Sequence, residues 1–207
     1  MKIHKYSEAT NKELFIQVFS HVHVSLYAHS SRPLTSPQYF EQVLKVFHHV
    51  EKELFLIEEN GKYIARLCLN STQHDSSIAF LGMLEYPESR QDLCFALLNQ
   101  AKNWCIERAK TKIFGPIDLN IWMNNRFSLE DHNTKFSWEP HNPINYVEDC
   151  LRFGFKMDQG YLSCLYNDSH ESLERTKDAY AKVIAQGYSF RQLDLKHPKE
   201  IDYHIHN

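Results

Sequence analysis

Residues 78–116 read IAFLGMLEYPESRQDLCFALLNQAKNWCIERAKTKIFGP, and three elements follow one another in that stretch. Ser76 to Tyr86 is rich in apolar residues and reads as a strand interrupted by Gly82. Ser89 then offers a helix cap, with Asp92 three residues on as a capping box with the shorter acid. Leu93, Leu97, Ala101, Trp104 and Ala109 recur at helical spacing, and Arg108, Lys110 and Lys112 place positive charge where a helix C-terminus favours it. Ile113 to Leu119 returns to strand, with Gly115-Pro116 inside it. Gly82 and Gly115-Pro116 break regular pairing in both strands. The strands at 78–86 and 112–119 are therefore expected to be parallel neighbours that separate toward their C-terminal ends.

The elements before this unit are a short strand at residues 2–7 and a helix capped by Asn11 that runs to about Tyr27. A polar turn spans Ser30 to Pro37, and a second helix follows to about Phe47 with Pro37 in its first turn. Glu53–Glu59 and Lys62–Asn70 are strands joined by Asn60-Gly61, a type I′ hairpin signal. After the unit, residues 120–143 show no clean period but carry Trp122, Phe127 and Trp138. A loop of that length in a compact domain is functional or disordered, and its aromatic content argues against disorder. A helix from Asn145 to Arg152 stops at Gly154, and Lys156–Tyr166 reads as a strand. A polar helix, roughly Ser169 to Gln186, is stopped by Gly187, and Tyr188–Leu195 reads as a last strand. The expected organisation is a main domain over residues 1–168 and a helix-and-strand extension over 169–207.

The resulting order is β-α-α-β-β-β-α-β-α-β. With Asn145-Tyr146 followed by Leu151-Arg152-Phe153-Gly154-Phe155, it resembles the GNAT superfamily of N-acetyltransferases. Phe80 to Trp104, Ile113-Phe114-Gly115-Pro116 and Pro140-His141-Asn142-Pro143 are similar to a GNAT-like subgroup with an altered cofactor loop. The resemblance covers roughly residues 2–166. It implies an α/β (α+β) fold, a mixed central sheet flanked by helices.

It also implies that acyl-CoA, either acetyl-CoA or another acyl-CoA, lies where the two parallel strands part. Leu84, Glu85 and Tyr86 would hold the pantetheine. The pyrophosphate would sit on the loop from Pro87 through Arg90, Gln91, Asp92 and Leu93, because a helix start offers free N–H donors and partial positive charge. This sequence departs from the family pattern in two places. The loop glycines are replaced by Asp92 and Cys94, and Asp92 competes with a phosphate for the same donors, a charge that Arg90 could offset. The catalytic tyrosine position holds Cys150.

Glu85, at a strand end, is the first candidate general base, with Asp118 and His141 as alternatives. Cys150 is a candidate acid, or a nucleophile beside His141. Asp118, Asn120, Trp122, Phe127, Trp138 and Tyr146 are the candidate acceptor pocket. Two functions follow: an acyl-CoA-dependent N-acyltransferase acting on an amine, or a non-catalytic GNAT-like module binding an acyl-thioester, a lipid or a protein partner. A third is one half of a larger two-domain assembly.

Bulk properties narrow the classes. The chain has 207 residues, 43% of them hydrophobic and 13% aromatic, enough for a bulky core. A net charge of −3 offers no general attraction for phosphate backbones, so nucleic acid is not an expected partner. No stretch is apolar for long enough to span a bilayer, and Met1–Lys5 is polar rather than a secretion signal. The 5 cysteines include no CxxC pair, which fits reduced thiols and a cytoplasmic location. The 13 histidines show no ligand spacing, so no metal is expected. The strand at 188–195 must pair with a sheet edge, in its own domain or in a second copy, and a homodimer is the favoured assembly.

Overall fold

The computed structural model describes residues 1–28, 35–71, 75–129, 139–162 and 169–190. The chain divides into two compact units, Met1–Gly160 and Tyr161–Asn207. In the first, β1 (Lys2–Lys5), α1 (Lys12–Tyr27) and α2 (Pro37–Val46) precede β2 (Lys52–Glu59), β3 (Lys62–Ser71) and β4 (Ile78–Glu85). Then come α3 (Gln91–Glu107), β5 (Lys112–Phe114) and α4 (Asn145–Phe153). The described part of the second unit holds α5 (Ser169–Ala185).

Local chemistry sets the element ends. The Asn11 side chain accepts from the Leu14 N–H at 3.0 Å and starts α1. Ser36 does the same for α2 through Tyr39 N–H, with Pro37 directly after it. Asn60 and Gly61 both have positive φ, 52° and 75°, as a type I′ turn requires. Gly154, at φ 118°, closes α4 in a Schellman arrangement: its N–H bonds Leu151 O, and Phe155 N–H bonds Cys150 O. That geometry is why a Gly-Phe pair stands there. Glycine takes the left-handed turn, and Phe155 folds back toward Phe153, which meets Phe95 of α3 edge-on at 5.5 Å. Gly187 stops α5 in the same way.

The five strands form one sheet in sequence order, β1 through β4 antiparallel and β4–β5 parallel. Strand alternation sends side chains to two cores. Phe55, Ile57, Leu67 and Leu81 pack under α3 and α4, while Leu54, Leu56 and Cys68 pack under α1 and α2. A bulge in β4 then changes the alternation. Arg66 faces Glu85 whereas Cys68 faces Gly82, so β4 carries one extra residue, with Met83 at φ 48°. An extra residue moves everything after it to the opposite face. Ala79 and Leu81 face α3, but after the bulge Leu84 and Tyr86 face α3 while Met83 lies under α1. Glu85, the cross-strand partner of Arg66, meets α1 through His23.

Four expectations need correcting. β5 ends at Phe114 rather than Leu119, because the chain after it turns across β4, where Ile117 N–H bonds Leu81 O. α3 is not capped by Ser89: Arg90 is its cap residue, and no side chain makes the cap bond. The expected strand at Lys156–Tyr166 is not a strand over 156–162; its remainder lies outside the described residues. Residues 188–190 are likewise not strand, and the rest of Tyr188–Leu195 lies outside the described residues. Among the described residues no helix is long and apolar enough to cross a membrane, and no group of three or more His, Cys, Asp or Glu could hold a metal.

Candidate functional site at the end of β4

β4 and β5 pair only from Ile78↔Lys112 to Phe80↔Phe114. Beyond that the chain after β5 crosses β4 at its glycine. A Cβ on Gly82 would lie 2.3 Å from Ile117 O and 2.6 Å from an Asp118 carboxylate oxygen, so glycine is what permits the crossing. Ile117 N–H donates to Leu81 O at 2.7 Å, and Met83 N–H donates to Asp118 Oδ1 at 2.6 Å. The place where two strands part is thus taken up by residues 115–120. Asn70 Nδ2, bonded to Leu119 O at 3.0 Å, holds the segment from below.

On the α1 face lies a cluster of charge. Glu85 Oε1 is 2.5 Å from His23 Nδ1, and Glu85 Oε2 is 2.7 Å from Arg66 Nε. Thr35 N–H donates to His23 Nε2, so that nitrogen is the bare one and Nδ1 carries the proton given to Glu85. The Arg66–Glu85 contact is close but not aligned as a hydrogen bond, which makes it mainly coulombic. Arg66 is fully buried, lies over the Phe40 ring at 4.1 Å and donates to Phe19 O at 2.9 Å. Burial pushes the Asp118 carboxyl up to about 6, against the pull of its bond from Met83 and of Arg66.

On the α3–α4 face the groups are neutral donors around one carboxylate. Tyr146 stacks on Tyr86 with ring centroids 4.1 Å apart. Its hydroxyl accepts from Tyr86 N–H at 2.7 Å and donates to Tyr86 O at 2.6 Å. With its own proton committed, it accepts from Tyr27 at 2.9 Å. Burial holds the Tyr146 hydroxyl well above its ordinary value, so it stays a phenol. Asp149 is buried and accepts from Tyr86 Oη at 2.9 Å, Gln91 Nε2 at 2.5 Å and Asn145 Nδ2 at 3.1 Å.

At the start of α3 the Leu93 N–H donates to the Arg90 carbonyl at 3.0 Å, and the Arg90 guanidinium holds the Asp92 carboxyl below its ordinary value. Arg90 does not face outward as a free cation. Its guanidinium spans Asp92 and Glu59, at 2.8 Å from each.

The structure therefore brings together Leu84, Glu85, Tyr86, Gln91, Asp118, Tyr146 and Cys150 around one strand end. The remaining expectations divide between this site and the surface. The Asn120 side chain accepts from Trp122 N–H in a turn, and Trp122 is 88% exposed. Phe127 meets Tyr146 edge-on at 6.3 Å. His141 is half-buried, and Trp138 lies outside the described residues. Cys150 is buried on α4. His23, Arg66 and Asp149 were not singled out as site residues from the sequence. Arg66 alternates with apolar neighbours Ala65 and Leu67 in β3, the one signal that could have marked it as a buried cation.

Fold and site together define the class: a mixed α/β domain whose five-stranded sheet carries a bulge in β4 and a helix start beyond that strand's end. No family model and no curated protein matches the chain. Among solved structures, a probable acetyltransferase is similar at 16% identity and a TM-score of 0.45, over 81% of this chain and all of that one. A predicted acetyltransferase with acetyl-CoA from Clostridium acetobutylicum is similar at 13% identity and a TM-score of 0.48, over 82% and 98%. An aminoglycoside acetyltransferase from an uncultured soil metagenomic sample, in complex with sisomicin, is similar at 13% identity and a TM-score of 0.47, over 80% and 95%.

Acyl-CoA in this groove would need free backbone groups at the end of β4 and free donors at the start of α3. Tyr146 and Asp118 take the first, while at the second the Arg90 carbonyl takes the Leu93 N–H and the Asp92 carboxylate adds negative charge. As they stand, these residues do not fit the group.

Proposed function

We propose that this is a non-catalytic GNAT-fold binding module whose cofactor groove is filled by its own side chains. The observation that carries this reading is the Tyr146 hydroxyl, which holds both the N–H and the C=O of Tyr86. A ligand that pairs with the strand end must first break two buried hydrogen bonds and the tyrosine stack. The carboxylate at the α3 start adds a like-charge obstacle to a pyrophosphate.

One observation favours the alternative, an acyl-CoA-dependent N-acyltransferase acting on a small amine. Glu85 stands at the strand end in contact with His23, an arrangement able to accept a proton and pass it on. In that reading Tyr146 swings away before the groove can be used.

Calorimetric titration with acetyl-CoA, together with an assay for CoA thiol release over a panel of amines, separates the two. The module reading expects no saturable heat and no amine-dependent release. Saturable binding with release that depends on Glu85 would overturn it in favour of the enzyme.

A further inference from the structure

The chain that crosses β4 continues into a tight turn with an apolar tip. Residues 119–125 read Leu-Asn-Ile-Trp-Met-Asn-Asn and carry no charge. Asp118 N–H donates to Asn124 O at 2.8 Å, and Met123 N–H donates to Asn120 O at 3.2 Å. The Asn120 side chain takes the Trp122 N–H, and Asn125 Nδ2 donates to Ile121 O at 3.1 Å. The base of the turn is anchored. Leu119 and Met123 belong to the core under α1 and α2, and Tyr39 Oη of α2 lies 4.0 Å from Met123 Sδ. At the tip Ile121 and Trp122 face solvent. A turn held by this many bonds has already lost the freedom that binding would otherwise remove. Tryptophan is also among the residues most enriched at the centres of interfaces.

The same face carries a socket. A cavity of about 260 Å³ lies between α1 and α2, lined by Lys12, Glu13, Ile16 and Gln17 of α1 and by Glu41 and Lys45 of α2. Small-molecule sites run to roughly 300–1,000 Å³, so this one suits a single large side chain. Ile16 gives it apolar surface, and the aliphatic stems of the two lysines add to that surface. Lys45 is exposed, and a lysine ammonium over an indole face is a favourable contact.

We propose that the Trp122 turn of one molecule seats in the α1–α2 cavity of a second copy of this chain, forming a weak two-fold dimer. The turn stands beside Tyr39, in the first helical turn of α2, and the cavity is reached at Glu41 and Lys45 of the same helix. From Tyr39 to Lys45 the helix rises by about 9 Å. A two-fold axis midway between complementary features on one face pairs them twice, each tip with the other copy's cavity. A buried tryptophan covers about 150–250 Å² and its socket a comparable area. Two seats therefore stay below the roughly 1,200–2,000 Å² of a stable interface, and the dimer exchanges with monomer. With no cation between residues 119 and 125, the tip has nothing to add attraction to anionic lipid, whereas the cavity matches it in size. The proposal does not depend on whether the β4 groove is filled or active, and it uses a different surface from the 188–195 segment.

The test is sedimentation velocity of the full chain from micromolar to millimolar concentration at constant salt. Conversion of monomer to dimer with rising concentration is expected. Trp122 and Lys45 are both exposed, so Trp122→Ala and Lys45→Glu should keep the wild-type melting temperature. Trp122→Ala should weaken self-association about tenfold or more, and Lys45→Glu should weaken it in the same direction. A mixture of the two variants should associate more strongly than either alone, because the intact tip of one enters the intact cavity of the other. Should the cavity variant lose its fold, Trp122→Ala decides alone. A chain that stays monomeric throughout would overturn the proposal, as would a dimer that Trp122→Ala leaves unchanged. Monomeric protein that pellets with phosphatidylcholine vesicles, and no longer does so as Trp122→Ala, would overturn it in favour of a lipid surface.

Discussion

The two faces of the β4 exit solve the same problem in opposite ways. On the α1 face, Glu85 and Asp118 are held by charge, with Arg66 buried among them and His23 alongside. On the α3–α4 face, one hydroxyl and three neutral donors satisfy the Tyr86 backbone and the Asp149 carboxylate. Consecutive residues, Glu85 and Tyr86, supply the two faces because the bulge at Met83 has reset the alternation. A charged cluster depends on each member, since removing one leaves an uncompensated buried charge. A neutral network loses one hydrogen bond at a time.

Arg66→Met should break this comparison most sharply. It leaves Glu85 and Asp118 without the guanidinium between them, at a cost of about 3–5 kcal/mol in urea unfolding. A loss below about 1 kcal/mol would mean that the α1 face is not held by charge. Gly82→Ala comes next. Its Cβ must displace backbone at Ile117 and Asp118, and overpacking of that kind costs about 1–3 kcal/mol. Tyr146→Phe should cost about 1–3 kcal/mol, because it strips both Tyr86 groups of their buried partner while keeping the ring stack.

The pH dependence comes from Asp118. Its folded value, about 6, lies above its ordinary value of 3.8, so between the two the folded protein binds more protons than the unfolded one. The group's contribution to stability is therefore full below the ordinary value and lost as pH rises through about 6. Asp118→Asn should flatten that part of the curve of unfolding free energy against pH. An unchanged slope would place the proton elsewhere in the cluster.

Much of this architecture is legible in local sequence. Asn11, Pro37, Asn60-Gly61 and Gly154 each act through their nearest neighbours, and each stands where its chemistry demands. The parting of β4 and β5 was also readable, from Gly82 and Gly115-Pro116. What fills the gap was not. Tyr146 reaches Tyr86 from 60 residues away, and its apolar-looking helix position gives no hint that its hydroxyl serves a strand. The bulge is equally silent, since Met83 is an unusual residue for positive φ. Without the bulge, plain alternation would place Glu85 on the wrong face. The α3 start was misread as capped by Ser89, where Arg90 is the cap residue and no side chain makes the cap bond.

The smallest expected effect belongs to Asp92→Gly. It removes the negative charge at the α3 start and releases Arg90 from one of its two carboxylates. CoA, which gives no saturable heat with the wild-type protein, should bind this variant weakly but measurably by calorimetry. Unchanged affinity would show that the helix start is not the obstacle.

The central claim is that Tyr146 and Asp118 occupy the strand end that a cofactor would use. Its most direct test is the amide resonances of Met83 and Tyr86, followed by nitrogen–proton correlation spectra of the labelled protein during acetyl-CoA titration. Both resonances should stay in place for the wild-type protein, and the Tyr86 amide should move when Tyr146→Phe removes its acceptor. A saturable shift of both amides in the wild-type protein on adding acetyl-CoA would contradict the account.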